Sequence, residues 1–260
     1  MAAYPDKLPA DANCPTAIAP APSPWGFWMT VLFSAVIILL WFAAQVITTI
    51  VFVVVAKIMH PEMDADSFKA NGLLLAIATC VGAPVAIGGS AFFAGLRGGI
   101  SLREYLHLQQ PAKGQYTRWF IWLIGFAALS DVVTMLAGKP IVPEFMVEAY
   151  TSAGFAPLLW IATVIGAPIG EEVIYRGFMF EGILHSRAGA VGAIGIPAFL
   201  WASLHVQYDM YGIATVFVGG LLLGVARLKS KSLYVPVLMH ALWGLIATVE
   251  TAIYTGMVTN

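Results

Sequence analysis

The sequence predicts an all-α, polytopic bundle of about seven membrane-spanning helices, within a range of six to eight. Two observations predict it. Of 260 residues 60% are hydrophobic and only 10% charged, with a mean hydropathy of +0.84, which is too apolar for a water-soluble core. The apolar residues also fall into runs near the roughly 20 needed for a helix to cross the hydrocarbon layer. In that layer each segment must satisfy its own backbone polar groups, so such runs become helices.

The formal charge of −1 offers no broad basic field, so a nucleic-acid partner is excluded and the expected surroundings are a lipid bilayer. Cys14 and Cys80 have neither the density of a disulfide framework nor the spacing of a zinc site.

Residues 1–24 carry Pro5, Pro9, Pro15, Pro20, Pro22 and Pro24 and read as a disordered, Pro-rich cytoplasmic tail. They lack the basic-then-apolar order of a secretory signal, so the first apolar run is expected to remain as a span. Residues 25–96 form an N-terminal pair of transmembrane helices: an uncharged run from Trp25 to about Ala56, and a second from about Leu73 to Leu96. The remaining domain, 97–258, opens with a polar stretch in which Leu102, Tyr105 and Leu106 share a side, the pattern of an interfacial helix. A third span follows from Trp119 to about Ala137, then an amphipathic piece around Val142 to Tyr150. A fourth span runs from about Phe155 to Leu184, a fifth from Gly189 to about His205, a sixth from Tyr211 to Leu228 and a seventh from Leu233 to about Met257.

Counting Lys and Arg on alternate sides puts Lys7, Arg97, Arg103, Lys113, Arg118, Arg187, Arg227, Lys229 and Lys231 on the face of the N-terminus, against Lys57, Lys69 and Lys139 opposite. That bias predicts a cytoplasmic N-terminus. His60, His107 and His185 fall in predicted loops and are expected to be solvated.

The fourth run holds the charges that lipid tolerates least. Gly170-Glu171-Glu172-Val173-Ile174-Tyr175-Arg176-Gly177 lies about halfway along it, where each charge costs about 2.5–3.5 kcal/mol on insertion scales. Glu172 and Arg176 are four apart on a helix and can pair. Glu171 has no such partner in its own helix and is the candidate general base. His205 and His240 lie near comparable depths in later spans. A carboxylate and two imidazoles converging in a wet cavity have the parts to activate water and hold an oxyanion, as amide hydrolysis demands. Taken singly, paired glutamates can be a helix cap and a membrane histidine can be packing. Asp131 and Glu250 read as polar-seam residues, and Asp209 either as a helix-end residue or as a partner orienting His205.

At these residues the sequence resembles the CPBP family of membrane endopeptidases, also called the Abi family, which includes type II CAAX prenyl proteases and bacteriocin-processing or immunity proteins. The family's EExxxR motif appears as Glu171 to Arg176. FxxxH appears as Trp201 to His205, with tryptophan for phenylalanine, and HxxxN or HxxxD as His240 to Gly244, without the amide or carboxylate.

The resemblance implies an intramembrane endopeptidase acting on a peptide or a membrane-associated, prenylated-type protein. Its catalytic residues would be Glu171 and His205, which activate water, and His240, which holds the oxyanion, supported by Glu172 and Arg176. Gly244 implies reduced activity, or a substitute donor such as Gln207. No cofactor and no metal is expected, because the EExxxR helix lacks an HExxH pair; a zinc site is the minor alternative. The cavity is expected to open toward the cytoplasmic side or laterally into lipid. The localisation implied is a bacterial inner (cell) membrane. A non-catalytic scaffold or immunity protein is the competing function. A proton-conducting transporter lacks the repeat symmetry such folds carry.

Overall fold

The computed structural model describes residues 23–258, over which the chain is helical with no strand. All but the last two residues of the expected disordered tail, and Cys14, lie outside the described residues.

Helix α1 (Phe27–Met59) has 33 residues, which at 1.5 Å each is about 50 Å, longer than a hydrocarbon layer of about 30 Å. It turns side chains such as Leu39, Phe42 and Ile47 outward, as expected where lipid is the solvent. Helix α2 (Gly72–Gly95) starts at Asn71, whose side chain accepts from the Leu74 N–H, and runs through Pro84. Trp25 Nε1 donates to Phe93 O at 2.7 Å and Phe33 stacks on Phe93, which ties the start of α1 to the end of α2.

Helix α3 is short (Leu102–Tyr105), closed by a capping box between Ser101 and Glu104. Only part of the expected interfacial face forms: Tyr105 and Leu106 are buried but Leu102 is exposed. The interhelical space admits two side chains of this single turn, and the third points away. Helix α4 (Gln115–Leu136) crosses back, and α5 (Glu144–Thr151) supplies the amphipathic piece.

Helix α6 (Ala156–Leu184) is the centre of the bundle. Ile174, Tyr175, Phe178, Phe180 and Ile183 on it are fully buried, and a helix apolar on all sides belongs inside. Helix α7 (Gly189–Ser203) has 15 residues, about 22 Å of rise. It is therefore the weakest of the seven expected spans: six helices have the length and composition to cross a membrane, and this shorter apolar one completes the set. Helices α8 (Met210–Ser230) and α9 (Tyr234–Val258) finish the chain.

The antiparallel order gathers the connections at two ends. At one, Arg97 Nε donates to Ser23 O at 2.8 Å, Gln109 Nε2 to Lys231 O at 2.9 Å and Leu233 N to His107 O at 3.1 Å. At the other, Lys139 pairs with Asp209 at 2.5 Å and Gly72 N donates to Ser152 Oγ at 2.9 Å.

Two expectations about charge are corrected. Arg227 is not a surface cation: it is buried, with Nη2 on Glu181 Oε2 at 3.0 Å and Nε on Arg176 O at 2.9 Å. His107 is not merely solvated, because its Nε2 lies 3.0 Å from Glu181 Oε1. An ion pair 46 residues apart leaves no periodic trace in a sequence. His185 is the half-exposed residue that closes α6, with Nδ1 at 2.9 Å from Glu181 O.

Candidate active site

Helix α6 is not a uniform α-helix. Ala162–Gly166 and Val173–Met179 are π-helical, and the α-helical stretch Ala167–Glu172 between them carries both glutamates. π turns widen a helix by one residue and recur at functional sites. Nothing in the composition of either stretch announced them.

Glu172 is completely buried and Arg176 nearly so. The pair expected from their spacing forms, with Nη1 donating to Oε1 at 2.7 Å. Arg176 Nη2 also donates to Gly220 O at 3.0 Å, and the guanidinium lies 4.8 Å over the Trp201 ring. Gly220 makes this approach possible, since a Cβ there would sit 3.2 Å from Arg176 Nη2 and 3.1 Å from Trp201 Cε3. A buried ion pair is stable only with such further hydrogen bonds.

His240 turns Nδ1 to Glu172 Oε1 at 3.0 Å, which leaves Nε2 facing Glu171 Oε2 at 4.0 Å. His205 lies just past the end of α7, with Nδ1 at 2.9 Å from Trp201 O. A carbonyl accepts only, so this bond puts the proton on Nδ1 and leaves a lone pair on Nε2. Trp201 stands between them. Its ring meets His205 and His240 edge-on, each at 5.1 Å between centroids, and its Nε1 donates to Glu171 Oε2 at 2.5 Å. The tryptophan in place of phenylalanine therefore adds a donor.

Two cavities meet at this cluster. The narrower, about 370 Å³, holds Glu171 and extends between α1 and α2 to Trp41, Phe42 and Gln45. The wider, about 740 Å³, runs to Lys69, Lys139 and Glu144 at one end of the bundle. Trp201, His205, Gln207, Tyr208, His240 and Gly244 line both. Asp131 and Glu250 line the wider cavity but not the one that holds Glu171. Asp209 caps α8 by accepting from Gly212 N at 2.9 Å and pairs with Lys139; it is a helix-end residue, and His205 Nδ1 donates to the Trp201 carbonyl instead. Burial pushes the neighbouring Tyr208 hydroxyl up to about 12, so it stays neutral and able to donate.

Gly244 has a packing reason that its position in a motif does not reveal. A Cβ there would come within 2.7 Å of Thr163 O and 3.8 Å of Val164 Cα, both in the first π turn of α6. Glycine thus lets α9 rest on a widened turn, with Thr248 Oγ1 donating to Gly244 O at 2.7 Å and lying 3.2 Å from Thr163 Oγ1. Among the described residues no group of three or more His, Cys, Asp or Glu side chains is arranged to hold a metal.

A multi-pass membrane protein, helical over the described residues, with a part-buried carboxylate that lines one cavity with two imidazoles, is the class that this fold and site define. Residues 153–246 match the family model described as "Type II CAAX prenyl endopeptidase Rce1-like". All three motifs fall within that stretch, and the resemblance to the CPBP membrane proteases is borne out over it. The chain is also 33% identical over 128 residues to an Escherichia coli protein described as "Uncharacterized 24.3 kDa protein"; the match covers 46% of this chain and 58% of that protein's length. No solved structure matches the chain.

Proposed function

We propose that the protein is an intramembrane endopeptidase in which Glu171 activates the attacking water. The observation that carries this reading is that His205 and His240 line the wall common to two cavities while Glu171 lines the narrower of them beside both histidines, the wider being large enough for a peptide segment. Glu171 takes the proton of a water held near His205 Nε2. The hydroxide adds to the scissile carbonyl, and the oxyanion lies toward His240 Nε2, which donates when the ring carries both protons. The Glu172 carboxylate 3.0 Å from Nδ1 fixes the direction of the ring. Collapse of the tetrahedral adduct then releases the amine with the proton that Glu171 took.

The mechanism proposed needs no metal. The host membrane is a bacterial inner membrane, with the N-terminus in the cytoplasm. Hydrolysis is tested by purified protein in bilayers against a mixed library of membrane-associated peptides, with and without a zinc chelator. Cleavage that is lost in Glu171→Gln and His205→Ala and indifferent to chelation supports the reading; loss on chelation points to zinc.

A second reading, a non-catalytic scaffold or immunity protein, draws support from the contacts of Arg176 and His240 with Glu172 Oε1 and from the tight seat of Gly244. It expects biological function to survive Glu171→Gln.

A further inference from the structure

We propose that the cavity opens on the extracytoplasmic face of the membrane, so that its substrate is an exported or membrane-inserted peptide presented from that side rather than a cytosolic one. This deepens the endopeptidase reading and rests on it for the word substrate; the orientation stands on separate observations.

The bundle's two ends differ in charge. At the end that joins Ser23 to Arg97 and Gln109 to Lys231 lie Arg97, Arg103, Lys113 and Arg118 around α3, Arg187 after α6, and Lys229 and Lys231 before α9. Arg227 and Arg176 do not belong in this census, because both are buried against glutamates. The one other described carboxylate at this end, besides buried Glu181, is Glu104, committed to the cap of α3.

The opposite end carries Lys57, Lys69 and Lys139 against Glu62, Asp64, Asp66, Glu144, Glu148 and Asp209. Two of its lysines are already in ion pairs, Lys69 with Asp66 at 2.7 Å and Lys139 with Asp209 at 2.5 Å. Short cytoplasmic loops accumulate Lys and Arg, and acidic residues count for little in that bias, so seven basic residues against three among the described residues places the first end inside.

The wider cavity reaches its mouth at Lys69, Lys139, Pro140 and Glu144, all at the second end. The first end is closed: His107 O accepts from Leu233 N, Ser232 Oγ donates to Gln109 O at 2.5 Å, and Glu181 is buried with Arg227 beneath. A peptide reaching Glu171 through the wider cavity therefore comes from the face opposite the basic loops, and of the two openings expected, toward the cytoplasm or laterally into lipid, this one replaces the first.

The test uses the full chain in Escherichia coli with Cys14 and Cys80 replaced by serine, and single cysteines introduced at exposed positions: Glu62→Cys and Glu148→Cys at the mouth end, Lys113→Cys and Arg187→Cys at the other. Intact cells are treated with a maleimide that does not cross the inner membrane, and lysed membranes serve as the reference for reactivity. The expected result is labelling of the first pair in intact cells and of the second only after lysis. The reverse pattern, or labelling of both pairs in intact cells, overturns the orientation. With the orientation found, the peptide library is offered to spheroplasts and to sealed inverted vesicles. Cleavage by spheroplasts alone is expected; cleavage by inverted vesicles alone overturns the exported-substrate assignment. Cleavage by neither, with labelling as expected, sinks the hydrolase reading and leaves the orientation standing.

Discussion

Trp201 Nε1 donates to Glu171 Oε2 at 2.5 Å, while the same indole lies under the Arg176 guanidinium and edge-on to both histidines. One side chain thereby sets the direction of the candidate base relative to the imidazoles. A hydrogen bond to a charged group contributes about 1.5–3 kcal/mol. Trp201→Phe keeps the ring and removes the N–H. It is expected to lower kcat for peptide cleavage about tenfold or more with KM nearly unchanged. An unchanged kcat would reduce the contact to packing.

Restoring the family's missing amide at Gly244 is expected to harm the protein. A Cβ at this position meets the Thr163 carbonyl oxygen at 2.7 Å, and overpacking of this kind costs about 1–3 kcal/mol. Gly244→Asn and Gly244→Ala should both lower the midpoint of thermal unfolding in detergent, by similar amounts because the clash begins at Cβ. A gain in cleavage by the asparagine variant at unchanged stability would contradict this account.

The Glu172 and Arg176 pair should behave as a unit. Removing one member of a buried pair leaves the other charge uncompensated and costs about 3–5 kcal/mol, whereas replacing both is often close to neutral. Arg176→Met should therefore destabilise more than the double variant Glu172→Gln, Arg176→Met. Unfolding of these two and of Glu172→Gln alone in one detergent checks this, and simple additivity would count against the coupling.

How much of this was legible beforehand follows from the range of each interaction. The long helices end within a few residues of the apolar runs, because membrane spans are defined by local composition; α7 fell short since its last apolar residues turn off the helix to place His205. The Glu172 and Arg176 contact was legible because four residues on one helix impose it. The Trp201 donor, the Glu181 and Arg227 pair and the seat of Gly244 on Thr163 were not, since each joins helices whose relative rotation no local pattern records. The π turns escaped for a related reason: they are stabilised by what packs on them, not by residues with a distinctive preference.

The mouth of the wider cavity should be acid-sensitive. The hydrogen bond from Lys139, helped by the Gly212 N–H, holds the Asp209 carboxyl below its usual range. A folded-state pKa that is depressed contributes stability present above the unfolded value and lost as pH falls through the folded one. Below about pH 3.9, the ordinary value for aspartate, the link between the α4–α5 connection and α8 should begin to loosen. Hydrogen exchange of the segment 205–213 should accelerate as pH is lowered through that range, after correction for intrinsic rates. Asp209→Asn should abolish the acceleration; an unaltered response in that variant would place its origin elsewhere.

The π turns of α6 have a consequence for how such a chain can change length. A π turn is an α turn with one residue inserted, so the two glutamates sit between two places where the count of residues is one more than α geometry requires. Deleting a single residue from Val173–Met179 could be absorbed as ordinary α-helix without opening a loop. Everything beyond such a deletion would keep its face, because the extra residue lies in the widened turn, whereas a deletion from the α-helical stretch Ala167–Glu172 would turn Phe178, Phe180 and Ile183 by about 100° relative to what precedes it. A one-residue deletion is thus absorbed at the π turns and disruptive between them, so length variation among relatives should fall at those turns or in the connections at either end.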